Sequence, residues 1–130
     1  MRKTFAALPL LLVLTACSPN TPQGPIGKVY MDSLISNDRD PIKSLVAAGS
    51  QADTAWSRRA EFIQGQKAKS SVKTIGYIEL GCKEMDGDRQ SCGYRLTSTR
   101  QDDVVDKGPV FDIRIDKKNN QITDCLYLDM

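Results

Sequence analysis

The hydrophobic period of this chain changes near residue 70. Before that point apolar side chains recur every three or four positions, as at Ile26, Val29, Tyr30, Leu34 and Ile35, which sets them along one helical face. Asn37 and Asp38 end this stretch. Asp40-Pro41 then combines an acceptor side chain at a cap with proline at the first helical position, ahead of Ile42, Leu45 and Val46 at the same spacing. Gly49 suits the left-handed residue that closes such a helix. A third helix is predicted from Asp53 as its cap through Trp56, Ala60 and Ile63, weakening at Gly65, with Arg58, Arg59 and Glu61 on its other faces.

Beyond residue 70 the period becomes two. Val72, Ile78, Leu80 and Cys82 alternate with mostly polar neighbours, and after Asp86-Gly87-Asp88 a run from Cys92 to Thr99 does the same. A loop centred on Gly87 pairs Cys82 with Cys92, Gly81 with Gly93, Leu80 with Tyr94 and Ile78 with Leu96, while Glu79 meets Arg95 on the other face. After a polar loop from Arg100 to Gly108, Phe111, Ile113 and Ile115 alternate with Asp112, Arg114 and Asp116. The chain turns at Lys117 to Asn120 and returns from Ile122 to Leu128. Two registers fit this last hairpin. One sets Phe111 and Ile113 against Leu128 and Leu126; the other sets them against Tyr127 and Cys125, with Arg114 opposite Asp124. The expected fold class is α+β, with N-terminal helices packed on a curved antiparallel sheet of about four strands in meander order.

A length of 130 residues suits one core, and the absence of histidine excludes chemistry that depends on imidazole. Arg2 and Lys3 precede an apolar run, Phe5 to Val13, that closes on small residues. This pattern reads as a secretory signal peptide over residues 1–16, too short to span a bilayer. Its removal leaves 16 basic against 16 acidic side chains, a balance that predicts no nucleic-acid partner.

Leu14-Thr15-Ala16-Cys17 resembles the lipobox of bacterial lipoprotein precursors. The resemblance implies that Cys17 is lipidated and becomes the first residue of the mature chain. Ser18 stands where inner-membrane lipoproteins commonly carry aspartate, which implies sorting to the outer membrane, facing the periplasm. Two or more acyl chains, palmitate among them, make such anchoring stable. Residues 17–27, with Pro19, Pro22, Pro25, Gly24 and Gly27, read as a tether with a reach of roughly 30 Å, leaving 28–130 as the domain.

Export makes disulfides available, and lipidation of Cys17 leaves Cys82, Cys92 and Cys125. The expected pair is Cys82 with Cys92, because directly opposed strand positions bring two Cα atoms within bonding range. Bridges from Cys125 to either partner stay open. Without histidine or a Cys-x-x-Cys spacing, the remaining thiol reads as a small buried side chain.

No catalytic set, metal site or cofactor is expected. Asp86-Gly87-Asp88 lacks the spaced ligands of a calcium loop and reads as a turn, and Asp102, Asp103 and Asp106 read as a polar loop. Arg58, Arg59, Lys67, Lys69 and Lys73 form a basic stretch, read as a solvated face rather than a headgroup contact. For an enzyme, the candidate acids or bases are Glu79, Asp112 and Asp124, and a Glu79–Arg95 pair would lower the glutamate pKa.

Helices followed by a meander, with an opening helix that ends at Asn37-Asp38-Arg39-Asp40, are similar to NTF2-like and cystatin-like lipoproteins over about residues 28 to 130. Such folds host both enzymes and binding modules. The functional expectation is a membrane-anchored, non-enzymatic module that binds a protein or another envelope component through its sheet or a cone-like pocket. The alternatives are an inhibitor or immunity lipoprotein against a periplasmic toxin or hydrolase, and a structural component of an envelope or secretion assembly.

Overall fold

The computed structural model describes residues 23–128. The expected signal peptide, the lipidation site Cys17 and the first part of the tether lie outside them. Two helices, α1 (Gln23–Ser36) and α2 (Gln51–Lys67), pack on one face of a four-stranded sheet. Its strands, β1 (Val72–Met85), β2 (Arg89–Arg100), β3 (Val105–Asp116) and β4 (Gln121–Leu128), are antiparallel neighbours in chain order. The expected α+β meander is what forms.

Helix α1 starts at Gln23, so residues 23–27 of the expected tether are helical. Pro25 falls in the first turn, where its missing N–H costs nothing because no carbonyl lies one turn back. The helix ends as its sequence indicates. Asn37 takes a left-handed φ of 57°, its N–H donates to Leu34 O (3.3 Å) and that of Asp38 to Ser33 O (3.0 Å), the paired bonds of a Schellman motif.

The expected second helix is instead a single 3₁₀ turn, Asp40–Ile42. Its continuation is drawn into the sheet. Ala47 N donates to Ile122 O (2.9 Å) and Ile122 N to Leu45 O (2.7 Å), a parallel bridge that needs extended backbone at Val46 and so forbids further helix. The cap of α2 is also displaced, from Asp53 to Ser50, whose hydroxyl accepts the Asp53 N–H (3.3 Å). Asp53 reciprocates by accepting Gly49 N–H (2.9 Å), a variant of the capping box.

Between helices and sheet lies one apolar core. Tyr30, Met31 and Leu34 of α1 and Ile63 of α2 meet Phe111, Ile113 and Ile115 of β3 and Ile122 of β4, all fully buried. Each such side chain contributes about 1.5–3 kcal/mol on removal from water.

The hairpin registers follow the sequence in part. Cys82–Cys92 and Gly81–Gly93 pair as expected, but a bulge between Glu79 and Gly81 then shifts the partners to Glu79–Tyr94, Ile78–Arg95 and Tyr77–Leu96. Gly81 adopts φ +97°, which a side chain rarely tolerates. One inserted residue reverses the facing. Tyr77 and Ile75 pack on the core, whereas Ile78 and Leu80, expected inside, are 44% and 52% exposed. In the last hairpin Phe111 faces Tyr127, Ile113 faces Cys125 and Arg114 faces Asp124, the second of the two registers, with a bulge after Arg114.

Candidate functional site

Helices cover only one face of the sheet, and the opposite face carries an open groove of about 650 Å³. That volume lies within the range of small-molecule sites. Three successive rungs of the ladder build it. In the first, Lys83 pairs with Ser91, Ser91 with Arg114 and Arg114 with Asp124. The second runs Gly81, Gly93, Asp112, Leu126, and the third Ile78, Arg95, Val110, Leu128.

Two glycines in register form the floor, since neither raises a side chain. The bulge then places Leu80 over Gly93, where an added Cβ would lie 3.4 Å from Leu80 Cβ. Val110 is 6% exposed yet stands apart from the main core cluster, so its burial comes from this outer face. Leu80, Val110 and Leu128 thus make an apolar end, and Lys83 and Arg114 a cationic one.

Polar groups at the cationic end are tied down. Asp112 accepts from the Ser91 hydroxyl across the β2–β3 pair and from Arg114 Nε (3.2 Å) two residues along β3, which holds the guanidinium beside it. Asp124 accepts from Arg89 (2.9 Å) and from the Thr123 hydroxyl (2.9 Å).

The three carboxylates considered for acid–base work do not converge. Asp112 and Asp124 lie on the outer face, each in an ion pair with an arginine. Glu79 pairs in the ladder with Tyr94 rather than Arg95, which overturns the expected Glu79–Arg95 contact.

Cys82 and Cys92 form the expected disulfide, with an S–S distance of 2.06 Å and Cα atoms 4.0 Å apart. It ties β1 to β2 beside the groove. Cys125 is free and buried, as expected of it. Burial pushes its thiol up to about 11, against the lowering effect of the nearby Arg59, so it is a poor nucleophile.

The basic stretch is dispersed rather than presented as one face. Arg59 turns inward to donate to Cys125 O (3.2 Å), Lys67 donates to Ile35 O (2.9 Å), and Lys73 pairs with Asp103 (2.8 Å). Asp102 and Asp106 both approach Arg100 Nε, at 3.4 and 3.6 Å. Among the described residues no cluster of three or more possible ligands forms a metal site. A smaller cavity of about 190 Å³, lined in part by the paired Arg39 and Asp53, falls below the usual size of a ligand site.

Sequence reasoning missed the groove because it missed the bulge. The available signal was Gly81 opposite Gly93, a pair of bare positions flanked by apolar residues on adjacent strands.

No family model matches the chain, and no curated protein matches its sequence. Among solved structures, a multiply substituted variant named for NTF2 is similar, with a TM-score of 0.54 and 11% identity, covering 80% of this chain and 94% of that one. An NTF2-like protein of unknown function from Exiguobacterium sp. 255-15 matches with a TM-score of 0.46 and 12% identity, over 80% of this chain and 97% of that one. The likeness with the TM-score of 0.54 bears on the fold alone, an NTF2-like α+β arrangement of helices on an open antiparallel sheet.

Proposed function

We propose that this protein is a lipid-anchored, periplasm-facing binding module of the outer membrane, attached through acyl chains on Cys17, whose bare sheet face holds a protein or another envelope component. The observation that carries the reading is the open groove with its ordered polar end, on the face that the helices leave free. Leu14-Thr15-Ala16-Cys17 supports the anchor, and the Cys82–Cys92 disulfide supports an oxidising compartment. The non-enzymatic part is supported by Asp112 and Asp124, each bound to an arginine and a hydroxyl, and by Glu79, which lies apart from both in the ladder.

The test is fractionation and intact mass of native protein and a Cys17→Ala variant, with a photo-crosslinking residue placed at Leu128 beside the groove or at Arg58 on the helical side. The expected result is acyl mass on Cys17, membrane recovery lost in Cys17→Ala, and crosslinks from position 128 alone. An unmodified, soluble wild type would sink the anchor, and equal crosslinking from both positions would sink the groove. A crosslinked toxin or hydrolase would identify the inhibitor form of the reading.

A further inference from the structure

We infer that the groove is a site for a single-chain anionic amphiphile, its hydrocarbon chain along Leu80, Val110 and Leu128 and its head against Lys83 and Arg114. This inference rests on the binding-module reading and names the ligand class. Two features of the groove select the ligand. The first is segregation: Leu80, Val110 and Leu128 line one end and Lys83 and Arg114 the other. Arg95 of the third rung donates to Gly108 O (2.9 Å) and Asp112 of the glycine rung is engaged by Ser91 and Arg114, so a ligand lying across the floor meets hydrocarbon at one end and free positive charge at the other.

The second is unspent charge. Arg114 uses Nε on Asp112, and its two terminal nitrogens have no protein acceptor among the described residues. Lys83 makes no ion pair among the described residues and is exposed. The two cations stand two strands apart, a backbone separation of roughly 10 Å that a solvated carboxylate or phosphate head can bridge. An extended peptide suits the groove less well. On the sheet face strand backbones are paired with their neighbours, so the main-chain bonds that hold a peptide strand are not on offer there.

The test is isothermal titration of the full chain with dodecanoate, 1-lauroyl-lysophosphatidylglycerol and uncharged 1-monolaurin, each below its critical micelle concentration. Wild type, Lys83→Glu and Gly93→Leu are compared, with circular dichroism confirming the fold of each. The expected result is saturable binding of both anionic ligands, at least tenfold weaker binding of monolaurin, a loss of at least tenfold in Lys83→Glu, and no binding in Gly93→Leu, whose side chain fills the floor. Tighter binding of the lysophospholipid than of dodecanoate would assign the head to a lipid phosphate, and the reverse order to a free fatty acid. Binding of monolaurin equal to that of dodecanoate, or no binding by folded wild type, would overturn the inference. If the crosslink from position 128 persists in that second case, the groove reading survives and only the ligand class falls. A wild-type dimer in sedimentation that Gly93→Leu dissociates would give the groove to a second copy of the chain and overturn the inference as well.

Discussion

The hydroxyl of Tyr94 in β2 rests directly on the backbone of Gly27 in α1, so that a Cβ at Gly27 would lie 2.5 Å from that oxygen and 3.2 Å from the ring carbon bearing it. Tyr94 cannot easily retreat. It is 2% exposed and held edge-on by Tyr77, whose own hydroxyl donates to Asp32 of α1 (2.6 Å). This contact sets how closely α1 approaches the sheet.

Gly27→Ala is therefore expected to destabilise the protein by about 1–3 kcal/mol, the usual cost of overpacking, despite alanine's better helix propensity. Chemical denaturation measures it. Tyr94→Phe in the same background should recover part of the loss, because it removes the nearest atom. A Gly27→Ala variant as stable as wild type would refute the contact.

Backbone of β4 is completed by side chains from α2. Gln51 Oε1 accepts Cys125 N–H (2.7 Å) and Arg59 donates to Cys125 O, while Ile122 is paired with the 45–47 segment. The outer edge of β4 is thus covered at both positions. Gln51→Ala should cost about 1–3 kcal/mol by leaving a buried N–H unpaired, and amide exchange at Cys125 should accelerate. Unchanged exchange at that amide would contradict the assignment.

The Cys82–Cys92 disulfide spans a sequence separation of 10. Loop-closure entropy puts its contribution just under about 3 kcal/mol, so a Cys82→Ala/Cys92→Ala variant should fold but unfold at lower denaturant. In the native wild type, thiol titration should find Cys125 unreactive until the protein is unfolded, given its burial.

Alkaline pH should unfold this protein. Burial raises Cys125 to about 11, burial and then the negative charges of Glu79 and Asp32 raise Tyr94 to about 12, and burial also raises Tyr30 and Tyr77. A folded pKa above the unfolded value means that the unfolded chain releases its proton first. Stability is then full below the ordinary thiol value of 9.0 and falls as pH rises through about 11 and 12. Tyrosinate absorbance of a Tyr127→Phe variant, which leaves Tyr30, Tyr77 and Tyr94, followed together with circular dichroism checks this; ionisation near 10 in a still-folded protein would contradict it.

The groove shows why part of this molecule was hidden from sequence reading. Gly81 opposite Gly93, Cys82 opposite Cys92 and the alternation around Phe111 were legible, since each follows from a period of two and a turn at fixed length. The bulge at Leu80 was not, because an unpaired residue leaves the local apolar pattern intact while reversing every facing beyond it. The 3₁₀ turn at Asp40 illustrates the same limit: the proline marks its start, but the cap is Arg39 with no side-chain bond rather than Asp40, and its continuation was decided by a strand some 80 residues away.

By itself the sequence determined what short-range chemistry controls: the first and third of the three expected helices, the helix end at Asn37, four strands in meander order, the disulfide pair and a solitary buried thiol. Tertiary structure decided which face each strand shows, which of two registers β4 takes, and where Lys83, Arg114, Leu80 and Leu128 come together. Those outcomes depend on pairings between residues far apart in the chain, where the free energy of burying one whole face outweighs the preferences of any single segment.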